Sequence, residues 1–489
     1  MSRAPLDAAS AVPAPARGTS VLLMAWVLGC SGEVQPPEGH VVLYVDTDAP
    51  LPRDPNLVTE VSASEEQRVP ALFDRFRAVG IDGNAAVPGT LHEIELHEAL
   101  LAQGPLSLGV VPETKTEHAT VQLTLFREAQ ALSSVPPEVS GLSVRVALPV
   151  TGNEGRSDAY VFLATETTGT RLGLAQPVDA KAPPAPEDLR RATDRELWRS
   201  AERTPCSSPP REEEVCIPGG AFWMGDPELR DNAELGDSDR ERLTVLSPFL
   251  LDRQEVTVEA FREVWPALSA EGYRPAPEFS GNLTGSEADD FSTFTAEPLE
   301  ETDPRADLPV NGVPWATARA YCQALGKDLP TEAMFEYVAS GMGAETKYVW
   351  GSDPAECGDA VIAMAGFGYY SSFDGSCRAP GSIGGPRPAG RDDRDVLGIG
   401  EDQSVYDLAG NLTEWTRDAY QDQPPTSVPL GVAFDPIVEG DADTELRVVK
   451  GGSWRGILVE ARAGARSGRD PEQMNRSLGF RCARQADGP

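Results

Sequence analysis

The run Lys450-Gly451-Gly452-Ser453-Trp454 constrains this chain more than any other stretch. It follows a strand-like segment holding Leu446, Val448 and Val449. Two consecutive glycines beside a strand point to a backbone conformation, or a close approach, that a Cβ would forbid. The chain then passes Arg455, Arg462, Arg466 and Arg469 and closes on Gly479-Phe480-Arg481-Cys482. A reactive centre would be sought here first. Yet between Trp454 and Arg466 there is no Cys, His, Asp or Lys, and a single glutamate, Glu460.

The 489 residues allow two or three domains at roughly 100–200 residues each. A net charge of -35 argues against nucleic acid and against electrostatic binding of anionic lipid head groups. It fits a self-repelling, solubilising surface, with a cationic ligand or calcium as the sharper alternative. None of the seven cysteines lies in a CxxC pair, so zinc-ribbon and thioredoxin-type motifs are absent. All four histidines, His40, His92, His97 and His118, precede residue 120.

Val21 to Leu28 is a short apolar run preceded by Arg3 and Arg17. A bilayer-spanning helix needs ~20 apolar residues, so the run suits the apolar core of a secretory signal over residues 1–30. Val27-Leu28-Gly29-Cys30 resembles a bacterial lipobox, which implies lipidation of Cys30. Ser31 gives no inner-membrane retention signal, so the expected location is extracytoplasmic, anchored in the outer membrane of a diderm bacterium. The alternative is a buried apolar segment with a free cysteine. With Cys30 lipidated, six cysteines remain in an oxidising compartment and read as disulfides, with 15 connectivities open.

Residues 38–178 read as an all-β, sandwich-like domain. Short β-rich runs at His40–Asp46, Ala71–Phe76, Leu106–Val111, Thr120–Phe126, Leu142–Leu148 and Ala159–Leu163 are separated by turn residues. His92-Glu93 and His97-Glu98 could look like metal ligands, but no third ligand stands near, and a solvated polar face is expected. Residues 179–205 read as a linker. Lys181 to Pro186 is proline-rich and stiff, and a charged helical stretch follows from Glu187 to Glu202.

The remainder, 206–485, carries ordered motifs. Cys216-Ile-Pro-Gly-Gly-Ala-Phe-Trp-Met-Gly225-Asp226 opens it, and Phe249-Leu-Leu-Asp252 follows. Asn311-Gly-Val-Pro-Trp315 leads into a predicted helix carrying Ala318, Cys322 and Leu325 on one face, stopped at Gly326. Leu329-Pro330-Thr331-Glu332 begins a second helix with Thr331 as N-cap. Tyr406-Asp407-Leu-Ala-Gly410-Asn411-Leu-Thr413-Glu414-Trp415 turns into a tryptophan-bearing segment. With the closing Gly-Gly-Ser-Trp and Gly-Phe-Arg-Cys, these resemble, in the family's order, the formylglycine-generating enzymes, also called the sulfatase-modifying factor family. The resemblance implies a C-type-lectin-like α+β domain. It departs from the family at Met334 and at Thr413, which replaces a tryptophan.

The resemblance also implies a chemistry: a copper oxidase that converts a sulfatase cysteine, its metal held by two cysteines just after the Gly-Gly-Ser turn. Thiolates suit Cu(I) as soft ligands. Counted from Trp454, the matching positions are Gly456 and Ala461, which have no ligating side chain. Ser453 is retained, but a serine does not replace two thiolates, so copper is not expected. A second branch of the family uses iron held by three histidines, and 206–485 contains none. The resemblance implies a Cys322–Cys482 bridge. Cys357 and Cys377 flank one loop and Cys206 and Cys216 bracket another, so these are the expected remaining pairs. Structural calcium, bound by oxygen ligands, is expected at Asn411 and Asp359; the alternative for Asn411 is a turn-stabilising side chain. The acidic group Asp392, Asp393, Asp395, Glu401 and Asp402 reads as a solvated loop.

These readings favour a lipid-anchored, non-catalytic module binding a peptide, glycan or protein. The alternatives are a diverged oxidase acting in sulfatase maturation and a structural envelope protein.

Overall fold

A computed structural model describes residues 21–25 and 40–486, apart from 54–67, 113–117, 150–156, 184–196, 231–236, 275–291, 363–384, 422–429, 441–444 and several shorter breaks. The N-terminal layer is built on two sheets, with short helical turns at Glu98–Leu101, Glu128–Ala131 and Pro137–Ser140. One has the order β1-β6-β2-β9, with β1 Val21–Ala25, β2 Val41–Thr47, β6 Leu106–Pro112 and β9 Ser157–Leu163. The other runs β10-β8-β7-β3-β4, with β5 also paired to β3. Its strands are β3 Arg75–Asp82, β4 Ala85–Ala86, β5 His92–Glu95, β7 His118–Phe126, β8 Leu142–Pro149 and β10 Val178–Asp179. In β2 the side chains alternate buried and half-buried, the period-2 pattern of a strand with one face in a core. Val41, Leu43 and Val45 of the first sheet share one apolar cluster with Phe76, Val121, Leu123 and Leu125 of the second.

Two expectations shift here. The strand foreseen at Ala71–Phe76 begins at Arg75 and continues to Asp82, because cross-strand partners start there: Arg75 faces both Phe126 and Glu95. Leu72 and Phe73 are buried ahead of it without a ladder. In the unprocessed chain, Val21–Ala25 of the apolar run read as a signal form β1, antiparallel to β6; Cys30 lies outside the described residues. The segment 179–205 is not a free linker at its ends. Val178 and Asp179 pair with β8, Trp198 and Ala201 enter the N-terminal core, and Thr204 bridges Gly219. Residues 184–196 lie outside the described residues.

The C-terminal layer combines helices with short sheets. α1 Val258–Ala270, α2 Trp315–Ala324 and α3 Glu332–Ala339 are its longer helices. Thr331 caps α3 as foreseen, its side chain accepting from the Met334 N–H at 3.2 Å. Among the strands, β15 Phe249–Asp252 lies between β11 Glu214–Ile217 and β23 Ala483–Gln485 and pairs antiparallel with both. β12 Gly220–Met224, β14 Arg242–Leu246 and β19 Ala433–Phe434 form a second sheet, and β16 Val396–Gly398 pairs with β17 Ser404–Tyr406. The largest has the order β13-β21-β20-β18-β22: β13 Asp237–Ser238, β18 Thr413–Ala419, β20 Arg447–Lys450, β21 Ala465–Arg469 and β22 Leu478–Gly479. Among the described residues no helix is long and apolar enough to cross a membrane.

The two layers are fused. All five residues of β12 are buried, which requires cover on both faces. Trp223 supplies the junction. Its ring meets Phe73 edge-on at 5.8 Å, its Nε1–H donates to the Leu72 carbonyl at 2.8 Å, and the Arg127 guanidinium lies over it at 5.2 Å. Ala221, Trp223 and Leu243 accordingly belong to the N-terminal core.

Candidate functional site

The Gly451-Gly452 turn leaves β20 with φ of 94° and 67°, a region that L side chains rarely adopt. Space is equally restrictive. A Cβ on Gly451 would lie 3.0 Å from the Phe335 ring, and one on Gly452 3.0 Å from the Ala461 N. Thr413, which stands where the family has tryptophan, donates its hydroxyl to the Gly452 carbonyl at 2.8 Å. Trp454 is buried, and its backbone N–H donates to the Asn411 carbonyl at 2.9 Å.

Ser453 is buried, and its carbonyl accepts from the Gly456 N–H at 2.9 Å. The two positions expected to carry metal ligands are filled differently. A Cβ on Gly456 would stand 2.4 Å from Glu460 Oε2, and that same oxygen accepts from the Ile457 N–H at 3.3 Å. The Glu460 carboxylate therefore overlies the position, at the start of a short 3-10 turn, Leu458–Ala461. Ala461 is 1% exposed and packs in an apolar cluster with Leu408, Ala409 and Leu458. A methyl and a hydrogen cannot coordinate copper, so these residues do not fit the metal. Glu460 was visible as the lone acid of the stretch, but nothing in the sequence placed its carboxylate over Gly456.

Arg462, Arg466 and Arg481 are held in structural ion pairs. Arg466 pairs with Glu332 at 2.8 Å, both side chains 2% exposed. Arg462 pairs with Asp226 and with Glu228. Arg481 and Glu414 form a fully buried pair at 2.6 Å, and Arg481 also donates to the Tyr406 and Asp407 carbonyls. Burial would lower the Arg481 guanidinium, but Glu414 outweighs it and holds Arg481 charged. Nearby Glu255 is pushed well above the carboxylate range, first by burial and then by Asp407 and Glu414. Trp415 is core, its Nε1–H bonded to the Val313 carbonyl. No groove joins it to Ser453 and Arg466 as side chains on one open surface, since all three are buried.

The calcium expectation fares differently at its two residues. Asn411 has φ of 59°. Its Oδ1 accepts from the Arg387 N–H at 2.9 Å, and its Nδ2 donates to Glu255 at 2.6 Å. Both ends of the amide are thus engaged in holding the turn. Asp359 is ion-paired to Arg394 at 3.4 Å and accepts from the Glu356 N–H. Neither presents a vacant oxygen cage, so the arrangement does not fit the ion. Asp395 corrects the solvated-loop reading. It is 1% exposed, and its carboxylate accepts the Leu408 and Ala409 N–H groups; Asp392, Asp393, Glu401 and Asp402 lie outside the described residues. The one carboxylate group of metal-binding spacing among the described residues, Glu213, Glu214 and Asp252, surrounds the Lys327 ammonium at 2.9, 3.0 and 2.6 Å. In the N-terminal layer Glu93 and Glu98 pair with Arg77 and Arg68.

Cys322 is bonded to Cys482 and Cys206 to Cys216. Cys357 is disulfide-bonded; its expected partner Cys377 lies outside the described residues.

Residues 200–486 match the model of the sulfatase-modifying factor enzyme 1-like domain. The chain is 28% identical over 306 residues to the inactive C-alpha-formylglycine-generating enzyme 2 of Bos taurus, covering 56% of this chain and 89% of that protein. It is 27% identical over 314 residues to the formylglycine-generating enzyme of Streptomyces coelicolor, covering 59% and 94%. Among solved structures, PvdO from Pseudomonas aeruginosa aligns with a TM-score of 0.36 and 21% identity, over 58% of this chain and 99% of that one. The match spans more than half the chain: this protein belongs to the sulfatase-modifying factor family, the family of the formylglycine-generating enzymes.

Proposed function

We propose that this protein is a non-catalytic binding module, held at the outer membrane of a diderm bacterium by a lipid on Cys30. The observation that carries the reading is the pair of substituted positions: Glu460 covers Gly456, and Ala461 is sealed in an apolar cluster. The similarity to a relative named as inactive is consistent with it. On this reading a peptide, glycan or protein is recognised without being oxidised, and neither copper nor calcium is required for the fold.

The competing reading, a diverged sulfatase-maturing oxidase, draws on retained Ser453 and on the similarity to the Streptomyces enzyme. Purified full chain, loaded with Cu(I) and supplied with a cysteine-containing sulfatase peptide, separates the two. Oxygen uptake above the protein-free rate would refute the binding module. For the anchor, Cys30→Ala should move the protein from the membrane fraction to the soluble one; unchanged fractionation would refute lipidation.

A further inference from the structure

Cleavage of the signal before Cys30 would take β1 with it, because Val21–Ala25 lies ahead of that cysteine. The order of the first sheet is β1-β6-β2-β9, so β6 would become an edge among the described strands. Its ladder from Leu108 to Pro112, antiparallel to Ala25 back to Val21, would be lost. On the other flank β2 still holds it, from Val41 against Val110 to Val45 against Leu106. β6 therefore stays extended when β1 leaves, and Leu108 and Val110 stay in the core.

An open edge is a template for another strand, and native proteins blunt such edges by shortness, charge or cover. The remaining edges of these two sheets follow that rule. β4 and β10 are two residues each. β5 carries Glu93 and Glu95. β9 carries Asp158, and its Tyr160 exchanges both backbone hydrogen bonds with Lys181, at 2.8 and 2.9 Å. β6 has none of these guards. Its seven residues, Leu-Ser-Leu-Gly-Val-Val-Pro, hold no charge, and its proline stands at the last position. In the unprocessed chain the edge takes Val-Leu-Leu-Met-Ala, itself uncharged and apolar. A second copy is the less favoured occupant, because each chain carries a net charge of -35 and copies repel.

We propose that the mature protein captures, on the β6 edge, an extended, uncharged, apolar segment of a partner protein, added antiparallel in the place of β1. Main-chain hydrogen bonds supply the affinity, and pockets for alternate side chains the selectivity. The proposal rests on the lipoprotein reading above, and two separate measurements tell their failures apart. Mass spectrometry of the native protein gives its first residue; one ahead of Val21 would overturn the proposal, because β1 would stay in place. The edge itself is tested on the mature chain, residues 30–489 with Cys30→Ser, using a synthetic peptide of residues 20–26 with lysines added at both ends as the probe. Hydrogen exchange of the Leu108–Val111 amides should slow at least tenfold when the probe is added. Binding of the probe should weaken at least tenfold with Leu23→Pro in the peptide, which removes a backbone donor, and in folded V111K, which gives the edge a charged guard. No binding, equal binding of the proline peptide, or Leu108–Val111 amides already protected without the probe would overturn the proposal. Protection that rises with the concentration of the chain alone would do so too, by assigning the edge to a second copy.

Discussion

Glu460 and Gly456 share one space: a Cβ built on Gly456 would lie 2.4 Å from the Glu460 carboxylate. The obstructing atom is the end of an exposed, flexible side chain. Gly456→Ala should therefore swing the carboxylate away and lose its bond to the Ile457 N–H, at about 1 kcal/mol. Glu460→Ala should cost a similar amount, and the double variant little more than either alone. Urea unfolding of the four proteins measures the coupling; strictly additive costs would show that the two residues do not interact.

Trp223 joins the layers. Trp223→Ala removes a buried ring, its contact with Phe73 and its bond to the Leu72 carbonyl, and should cost about 3–5 kcal/mol. Because β12 lies in a shared core, the wild-type chain should unfold in one transition that tryptophan fluorescence and far-ultraviolet circular dichroism report together. Two separated transitions in the wild type would mean that the layers fold independently.

The Arg481–Glu414 pair is fully buried. Arg481→Met leaves Glu414 uncompensated beside Glu255 and should destabilise by about 3–5 kcal/mol, whereas replacing both members with apolar residues should cost less. Chemical denaturation of R481M and of R481M/E414L compares them. A double variant worse than R481M would contradict the desolvation account.

Glu214 sets an acid limit. Burial alone would raise its carboxyl, but Arg484, the Arg211 N–H and Lys327 bring it from the usual 4.5 to about 2. Between those values the unfolded chain holds the extra proton, so this contribution is complete above about pH 4.5 and is lost as pH falls towards 2. Asp252 acts in the opposite sense. Burial raises it to about 6, so its contribution is full below the usual 3.8 and declines as pH rises through 6. Unfolding midpoints measured from pH 5 down to 2.5 should fall less steeply in E214Q than in the wild type; parallel curves would remove Glu214 from the account.

Local rules carried much of this fold. The glycine pair, the Thr331 cap and the alternation of Val41, Leu43 and Val45 each follow from one short stretch and its dihedral or packing demands. What depended on distant partners was harder to see. Asp395 resembles its acidic neighbours in sequence, and only the returning Leu408–Ala409 backbone makes it a buried acceptor. Trp198 sits in a charged segment and docks because Asp48, 150 residues earlier, offers a carbonyl to its N–H. One signal for the fused layers was available: Ala221 to Met224 is apolar without alternation, the pattern of a strand covered on both faces.

The most direct test of the central claim is mass spectrometry of a sulfatase-derived cysteine peptide after incubation with the full chain, Cu(I), oxygen and a thiol reductant. The account predicts an unmodified cysteine, since Gly456 and Ala461 supply no thiolate. Conversion of that cysteine to formylglycine, dependent on the protein and the metal, would contradict it.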